Sequence, residues 1–374
     1  MRKLFSLGLL IFSIILAVIL IFLASGYSFN RQQGQFIMTG IIQANSVPNG
    51  ASVFVNGKLA AATDSSISGL AAGTYTIKIS KNGYYDWQKD ITVRAERVSE
   101  VEALLIPSAP ILQPASYDGI VSLLVSPDAS KAAMIFADPE KAGIWVLTFN
   151  NLPFGTFGSG YTIKQIVRDT ATVAFSKSSL QWSGDSQDLL ISLTESETEG
   201  NYLLSSDQLN TDPQPISESK SAILARWEAD QQNLEIQRKK QLNESDLAIY
   251  STAIDPVWSP DNLSFLFKND SGYSVYSLEQ QRLSVVKDLP LDATKMVTWH
   301  PNSRNIIALT EYSVDQKSGK IISIETDGGN KTTIYEGIMT APSLLVAPDG
   351  RKILFLTSFN LSSPTSSLYS INLR

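Results

Sequence analysis

The chain contains no cysteine and a single histidine, His300, among its 374 residues. The lack of cysteine excludes thiol catalysis, disulfide bonds and a lipid anchor on an N-terminal cysteine. With one imidazole and no thiol, the chain cannot build a zinc site from Cys and His ligands. General-base chemistry would therefore fall to carboxylates, lysines and tyrosines.

Positive charge is also scarce. The chain has 30 Lys and Arg against 36 Asp and Glu, a net charge of -6, and no long basic run beyond the N-terminus. Nucleic-acid binding depends on clustered cations that neutralise phosphates, so we expect no nucleic acid among the partners. A content of 43% hydrophobic and 18% charged residues, at this length, predicts more than one core and two or three domains.

The N-terminus carries the one long apolar run. Residues 1–3, with Arg2 and Lys3, are predicted to form a cytoplasmic tip, and residues 4–24 contain no charge. At about 1.5 Å per residue such a run crosses a hydrocarbon core of roughly 30 Å. The positive-inside bias predicts a single-pass cell-membrane anchor at 4–24, with the rest of the chain extracytoplasmic. The alternative is a signal peptide cleaved near "LAS" at 23–25, which would leave a secreted protein.

Two segments follow before the chain turns into repeats. Residues 25–40 are polar and aperiodic, which predicts a tether. Residues 41–107 alternate apolar and polar residues between turn signals, which predicts short strands in a small antiparallel β-domain. Asn56-Gly57 has the composition of a two-residue type I′ hairpin turn.

The order of turns and strands in residues 41–107 resembles the PEGA domain family. The resemblance rests on "PNGASVFVNGK", "LAAGTYTIKISKNGYYDW" and "KDITV", with Asn49 where the naming tetrapeptide has an acidic residue. It implies a β-sandwich-like, extracytoplasmic, non-catalytic module. Residues 108–116 contain Pro110 and Pro114 and predict a stiff linker.

A turn motif recurs from residue 117 to 374. Each copy is an apolar strand, a turn with Asp or Asn, and a second apolar strand. The copies are "VSPDASKAAMIF", "WSGDSQDLLIS", "WEADQQNLEIQ", "WSPDNLSFLF", "WHPNSRNIIAL" and "VAPDGRKILFL". Their acids or amides are 31 to 57 residues apart, near the roughly 40 to 50 residues of a four-stranded propeller blade.

These copies resemble TolB-type, WD40-like β-propeller repeats, which implies a propeller of about six blades over 117–374. "VWSPDNLSFLF" with "YSVYSLEQQR" and "IISIETDGGNKTTIYEG" carry the resemblance best. A ring must close to hide its edges, so we expect residues 110–116 to pair with the final blade. The predicted fold class is all-β apart from one N-terminal transmembrane helix: a PEGA module plus a propeller.

The repeated acids have two interpretations. A ring of carboxylates could bind cations, or each side chain could cap its own turn by accepting backbone hydrogen bonds. Asn302 fills the position without charge, which favours capping. The residues in question are Asp128, Asp185, Asp230, Asp261, Asn302 and Asp349.

Three other features could mark sites. His300 could be a general base, but its place in "TWHPNS" favours a surface turn residue. Tyr84, Tyr85 and Trp87 could form a stacking platform, but Tyr84 and Trp87 fit a sheet core better. "GTFGSGY" at 155–161 leads into a strand and not a helix, so we expect a loop and not a phosphate cradle.

No hydrolase elbow, phosphate-binding loop or His-Glu-x-x-His motif occurs. We therefore predict no catalytic, cofactor-binding or metal-binding residues and no cofactor. The predicted function is binding or scaffolding at a bacterial cell envelope, with a membrane anchor at 4–24. The partner is predicted to be an unknown envelope protein or polysaccharide, bound through a propeller rim and the PEGA-like module. The alternative is a propeller hydrolase or lyase with carboxylates in a central channel.

Overall fold

The computed structural model describes residues 2–24, 27–30, 34–150, 160–193, 200–216, 218–270, 272–358 and 365–374. These residues form two compact units that divide between Ala109 and Pro110.

The N-terminal unit begins with α1 (Arg2–Ala24). In the part of the chain that the structure describes, no helix is long and apolar enough to span a membrane, so the predicted anchor at 4–24 is not supported. The predicted tether at 25–40 is wrong, because β1 (Tyr27–Asn30) pairs with the beginning of β2 (Gln35–Val47). Aromatic and β-branched residues at 27–37 favour this hairpin over an aperiodic chain.

Two sheets make up the remainder of this unit. Its further strands are β3 (Ser52–Val55), β4 (Lys58–Ala62), β5 (Ser65–Ala71), β6 (Gly73–Ser80), β7 (Trp87–Val93) and β8 (Val98–Leu104). One sheet has the order β1-β2-β5 with β8 on β2, and the other has the order β4-β3-β6-β7. The predicted β-sandwich is present, but it is not purely antiparallel, because β2 and β8 run parallel.

The core of the sandwich lies between these sheets. Ile42 and Val101 from one sheet pack with Val53, Ile79 and Trp87 from the other, all of them buried. The predicted hairpin turn is confirmed: Asn56 and Gly57 both have positive φ, 48° and 79°, as a type I′ turn requires. The chain between β6 and β7 turns at Gly83, also at positive φ.

The second unit is built from β9 to β27, with two helices and one short 3-10 turn (Phe175–Lys177). Its strands are β9 (Leu112–Pro114), β10 (Ile120–Val125), β11 (Lys131–Phe136), β12 (Gly143–Phe149), β13 (Tyr161–Arg168), β14 (Ser179–Trp182), β15 (Asp188–Leu193), β16 (Gly200–Ser205), β17 (Ile254–Trp258), β18 (Ser264–Asn269), β19 (Gly272–Ser277), β20 (Arg282–Val285), β21 (Thr294–Trp299), β22 (Asn305–Ser313), β23 (Ser318–Glu325), β24 (Thr332–Ile338), β25 (Leu345–Val346), β26 (Lys352–Thr357) and β27 (Ser367–Asn372). The helices are α2 (Lys220–Lys240) and α3 (Glu244–Thr252).

The described residues of this unit form five antiparallel sheets. We number them sheet 1 (β10-β11-β12-β13), sheet 2 (β14-β15-β16), sheet 3 (β17-β18-β19-β20), sheet 4 (β21-β22-β23-β24) and sheet 5 (β25-β26-β27-β9). The predicted six blades are therefore wrong by one. The "WEAD" copy, with Trp227 and Asp230, lies inside α2 and is not a turn between strands.

Apart from sheets 2 and 3, neighbouring sheets pack against each other in chain order, as in a propeller. One core joins sheets 1 and 2 around Val146, Ile191 and Leu204, and a second joins sheets 3 and 4 around Val275 and Ile306. A third core joins sheet 5 to sheet 1, where Leu354 and Leu368 lie in the same cluster as Met134 and Leu147. Sheets 4 and 5 meet through the rings of Tyr335 and Phe355, whose centroids are 4.5 Å apart.

The helices stand in chain order where a sixth sheet is expected, between sheets 2 and 3. Ser219 caps α2 through its side chain, and Asn243 caps α3 in the same way by accepting from Asp246 N at 2.9 Å. Tyr250 of α3 packs in one core with Phe265 and Tyr276 of sheet 3. Asp230 lies on an exposed part of α2, so the prediction of a turn-capping acid there is also wrong.

The closure predicted for residues 110–116 is confirmed. β9 is the outer strand of sheet 5, with Leu112 opposite Ile371 and Pro114 opposite Tyr369. Ala115 N also donates to Leu368 O at 2.7 Å. The proline-rich segment thus belongs to the last sheet, because Pro114 sits at the edge of the unit, where no ladder hydrogen bond is required of it.

Sheet 2 has no fourth strand among the described residues, and its outer edge is covered in another way. The Asn210 side chain accepts from Ser205 N at 3.2 Å and donates to Ser205 O at 3.0 Å, as a strand residue would. Ile216 N donates to Asn201 O at 2.8 Å. An exposed strand edge invites pairing with other chains, and this irregular segment covers part of it.

Candidate functional site

The repeated turns were the strongest candidates for a site, and five of them share one backbone geometry. Each closes with two backbone hydrogen bonds, for example Ser126 N to Lys131 O at 2.9 Å and Ala129 N to Ser126 O at 2.9 Å. The residue after each Asp or Asn has positive φ, between 56° and 68°; these residues are Ala129, Ser186, Asn262, Ser303 and Gly350. The motif therefore specifies a turn.

The acidic side chains cap these turns. In sheet 1, Asp128 accepts from Ser126 Oγ at 2.7 Å and from Ser130 N at 3.0 Å. In the other charged turns, the backbone N–H two residues after the acid donates to its carboxylate in the same way. The bonds are Gln187 N to Asp185 at 3.1 Å, Leu263 N to Asp261 at 2.9 Å and Arg351 N to Asp349 at 2.9 Å. Asn302 Oδ1 accepts from Arg304 N at 3.0 Å in the same way. The capping interpretation is confirmed at these five positions.

Electrostatics agree with capping. Hydrogen bonds from Ser183 and from the Gln187 backbone hold the pKa of Asp185 below its usual value. Burial pushes the pKa of Asp128 upward, but hydrogen bonds from Ser126, Ser130 and Ser186 outweigh it and leave the pKa lowered. The Asp128 and Asp185 carboxylates are thus stabilised in their charged forms by donors of their own turns and, for Asp128, of the neighbouring sheet.

The turns also connect one sheet to the next. Asp128 N donates to Ser186 Oγ of sheet 2 at 3.3 Å, and Asp261 N donates to Ser303 Oγ of sheet 4 at 3.2 Å. The indoles of Trp182 and Trp299 each donate to a carbonyl two residues before the previous turn motif, Leu124 O at 3.0 Å and Val257 O at 2.9 Å. Tryptophan in this motif is therefore a link between sheets.

Trp258 breaks this pattern at the helices. Its indole donates to Tyr250 Oη of α3 at 3.4 Å, in place of a carbonyl of a preceding sheet. Arg238 of α2 lies over the Trp258 ring at 5.7 Å, and Gln231 lies beside Gly184 in the turn of sheet 2. The helices thus reach both neighbouring sheets and occupy the position that a sixth sheet would have.

Lys131 was not singled out by the sequence, although it lies buried between sheets 1 and 2. Its Nζ donates to Ser206 Oγ at 2.9 Å and Ser186 O at 3.1 Å and pairs with Asp207 at 2.9 Å. A lysine directly after the "SPDAS" turn looks like an ordinary surface lysine in the sequence, so its burial could not be predicted. Burial, together with the Asp185 and Asp207 charges, raises the pKa of the neighbouring Asp188, and Lys131 opposes that rise.

His300 is not on the surface, so that prediction is wrong. Its side chain is only 2% exposed. Nε2 lies 3.1 Å from Gly350 O in the turn of sheet 5, and Nδ1 accepts from Asn302 N at 3.2 Å. The other four turns carry Ser or Ala at this position, side chains too short to make the contact that the imidazole makes with the turn of sheet 5.

The aromatic candidates of the N-terminal unit divide as expected. Trp87 is buried in the sandwich core and Tyr84 packs against it, whereas Tyr85 is exposed. Residues 151–159 of the "GTFGSGY" region lie outside the described residues, and Tyr161 begins β13, the strand expected after the loop. Within the described ranges, no group of three or more His, Asp and Glu side chains could hold a metal ion.

Exposed apolar side chains are concentrated in one part of the second unit. We call residues 234–291 the apolar segment; eight of its large hydrophobic side chains are 40% to 55% exposed. They are Leu234, Ile236, Ile254, Val257, Leu263, Leu283, Val285 and Leu291. The apolar segment covers the end of α2, α3 and sheet 3, so this exposure coincides with the place where the repeat is interrupted.

Fold and turns together define a two-part β-protein, a sandwich module and a propeller of five sheets closed by a helical pair. Residues 39–108, which make up most of the sandwich module, match the model of the PEGA domain family. No curated protein matches the chain.

Several solved structures overlap with the chain loosely. A TolB from Acinetobacter baumannii matches 80% of the chain at 12% identity and a TM-score of 0.24, and the chain spans 60% of that protein. A putative TolB from Agrobacterium tumefaciens matches 90% of the chain, over 98% of its own length, at 12% identity and a TM-score of 0.23. A eukaryotic initiation factor matches 88% of the chain, over 84% of its own length, at 13% identity and a TM-score of 0.25. At such scores the propeller assignment rests on the sheets of this chain.

Proposed function

We propose that this protein is a non-enzymatic binding or scaffolding protein of the cell envelope, and that it engages a protein partner through the apolar segment. The observation that carries the proposal is the concentration of exposed aliphatic side chains at residues 234–291. Exposed apolar surface is typical of interaction sites where it forms a patch larger than a few hundred Å².

The composition of the apolar segment favours a protein over a polysaccharide. Its exposed members are Leu, Ile and Val, which pack against other aliphatic side chains. A glycan would require aromatic faces for stacking and polar groups for its hydroxyls. The catalytic alternative has no specific observation in its favour, because the turn residues Asp128, Asp185, Asp261, Asn302 and Asp349 are engaged as caps.

The test is capture of binding partners from envelope fractions with purified protein and a pair of variants. Leu234→Glu with Ile236→Glu places a charge at each of two exposed apolar positions of α2, and we expect the double variant to lose the captured protein. The control is Val314→Glu, which changes a still more exposed apolar residue at a hairpin tip outside the apolar segment. Equal capture by both variants would exclude this surface, provided that circular dichroism shows both variants to be folded.

Location outside the cytoplasm is a separate proposal that rests on residues 1–24 alone. Carbonate extraction of the full chain, compared with a chain that lacks residues 1–24, measures membrane association. The mass of the mature protein distinguishes an uncleaved segment from a signal peptide removed near residue 25. Recovery of the intact full chain in the cytoplasmic fraction would contradict both.

A further inference from the structure

The junction between sheets 4 and 5 depends on the chain's one imidazole. At two other junctions a Ser hydroxyl of the following turn accepts from the preceding turn, Ser186 for Asp128 N and Ser303 for Asp261 N. Sheet 5 has Gly350 at the corresponding position and no hydroxyl to offer. His300 makes the link in the opposite sense, from sheet 4 to the Gly350 carbonyl at 3.1 Å.

The two ring nitrogens have fixed roles in this arrangement. The backbone N–H of Asn302 points at Nδ1 from 3.2 Å, so Nδ1 must be the unprotonated acceptor. Nε2 faces a carbonyl, so it must carry the proton and donate it. Both contacts are satisfied only by the neutral ring with its proton on Nε2.

Protonation would place two donors against each other. A second proton on Nδ1 would oppose the N–H of Asn302, whose side chain in turn accepts from Arg304 N and Asn305 N at 3.0 Å. The ring is almost completely buried, so water cannot hydrate the positive charge or accept a hydrogen bond from the added N–H. Relief requires the ring to leave its position, which breaks the link to Gly350.

The His300 ring is packed tightly against the turn of sheet 5. A Cβ on Gly350 would lie 2.7 Å from both Cε1 and Nε2 of His300, so the backbone of sheet 5 is in direct contact with the imidazole. The charged groups of these turns and of the strands beside them include Arg304 and, opposite Asn305, Glu325 in sheet 4. Sheet 5 contributes Lys352 and the Asp349–Arg351 pair at 3.7 Å, and sheet 3 contributes Asp261, whose N–H donates to Ser303. These groups include both positive and negative side chains.

We propose that His300 is a pH-sensitive latch between sheets 4 and 5, closed when the ring is neutral and released when it is protonated. Because the chain has no other histidine, this latch is the one imidazole-controlled contact in the protein. Histidine is the side chain whose ordinary titration falls between about pH 5 and pH 8. The inference does not depend on the proposed binding partner.

Amide hydrogen exchange on the full chain tests the latch, with rates corrected for the intrinsic effect of pH. Peptides covering 298–306 and 346–352 are compared between about pH 7 and about pH 5, the range over which an imidazole gains its proton. We expect opening of the junction to increase by up to about tenfold per pH unit, the limit for release linked to one proton. Peptides covering 124–131 provide the control from the junction of sheets 1 and 2, where Ser186 makes the link and no imidazole is involved.

The matched variant is His300→Ser, which installs the residue found at this position in sheets 1, 2 and 3. Its junction should open to the same extent at both pH values. A second readout is the nitrogen NMR signal of the only imidazole, which should show the Nε2–H form until the junction opens. A junction equally protected at both pH values in the wild type, or an equal increase in His300→Ser, would overturn the latch.

Discussion

The junction between sheets 3 and 4 and the junction between sheets 2 and 3 are built in different ways. In the first, an indole and a hydroxyl tie one turn directly to the next through Trp299, Val257, Asp261 and Ser303. In the second, two helices intervene, and Trp258 bonds to the Tyr250 hydroxyl at the longer distance of 3.4 Å. The repeat thus tolerates replacement of a whole sheet where other groups fill the same space.

The two kinds of junction also differ in how far their apolar side chains are buried. Where sheets meet directly, their apolar side chains are buried against each other. Where helices replace a sheet, the described part of α2 buries only Ile223, and Leu234 and Ile236 stay exposed. A regular junction therefore stabilises the fold, and the irregular one leaves apolar surface available for a partner.

The largest expected effect is at the regular junction. Trp299→Ala removes a buried side chain and its hydrogen bond to Val257, and we expect a loss of about 3–5 kcal/mol of unfolding free energy. Trp258→Ala should cost less, because Trp258 is only half-buried and its bond is longer. Urea unfolding measures both. Equal losses would show that the two junctions do not differ in strength.

Gly350→Ala should be the next most disruptive change. The position has φ of 68°, and the new methyl would meet the His300 ring, so we expect a loss of about 2–3 kcal/mol. In the His300→Ser background the steric part disappears, and the same substitution should cost only about 1 kcal/mol. A thermal double-mutant cycle measures the difference, and additive effects would mean that the ring and the glycine are not coupled.

Lys131→Ala should have an intermediate effect at the junction of sheets 1 and 2. It removes a buried amine bonded to Ser206 and Ser186 O, and we expect a loss of about 1–3 kcal/mol. The exposed partner gives the control, since Asp207→Asn should cost no more than about 1 kcal/mol. A larger effect for Asp207→Asn would place the energy in the ion pair and not in the buried hydrogen bonds.

The smallest effect distinguishes the charged caps from the neutral one. Because the pKa of Asp128 is lowered in the folded protein, its charge stabilises the fold above the unfolded-state pKa, and this contribution is lost as pH falls through the folded value. Asp128→Asn keeps the acceptor oxygen, as Asn302 does, but removes the acid sensitivity. The difference in unfolding free energy between the wild type and Asp128→Asn should therefore become smaller as pH is lowered from neutral to about pH 3. A constant difference would contradict this account.

Local signals predicted much of this structure. The turn role of Asp128 and Asp261, the Asn56-Gly57 hairpin and the closure by residues 112–114 all follow from short-range turn chemistry or from the need to protect an edge. The predicted number of blades was too high because Trp227 and Asp230 match two positions of the turn motif but lie in a helix. Residues 220–240 are rich in residues that favour helix formation. His300 and Lys131 could not be found in this way, since their burial is decided by a neighbouring sheet far away in sequence.

The pairing of β9 with β27 has a consequence for how the chain is made. Ser370 bonds to Gln113 across 257 residues, so the first strand of this unit is synthesised long before its partner exists. At ordinary translation rates this interval is roughly 10–50 s. During that time the proline-rich strand has to wait unpaired, and the last sheet acts as the slow, final step that converts a row of finished sheets into a closed ring.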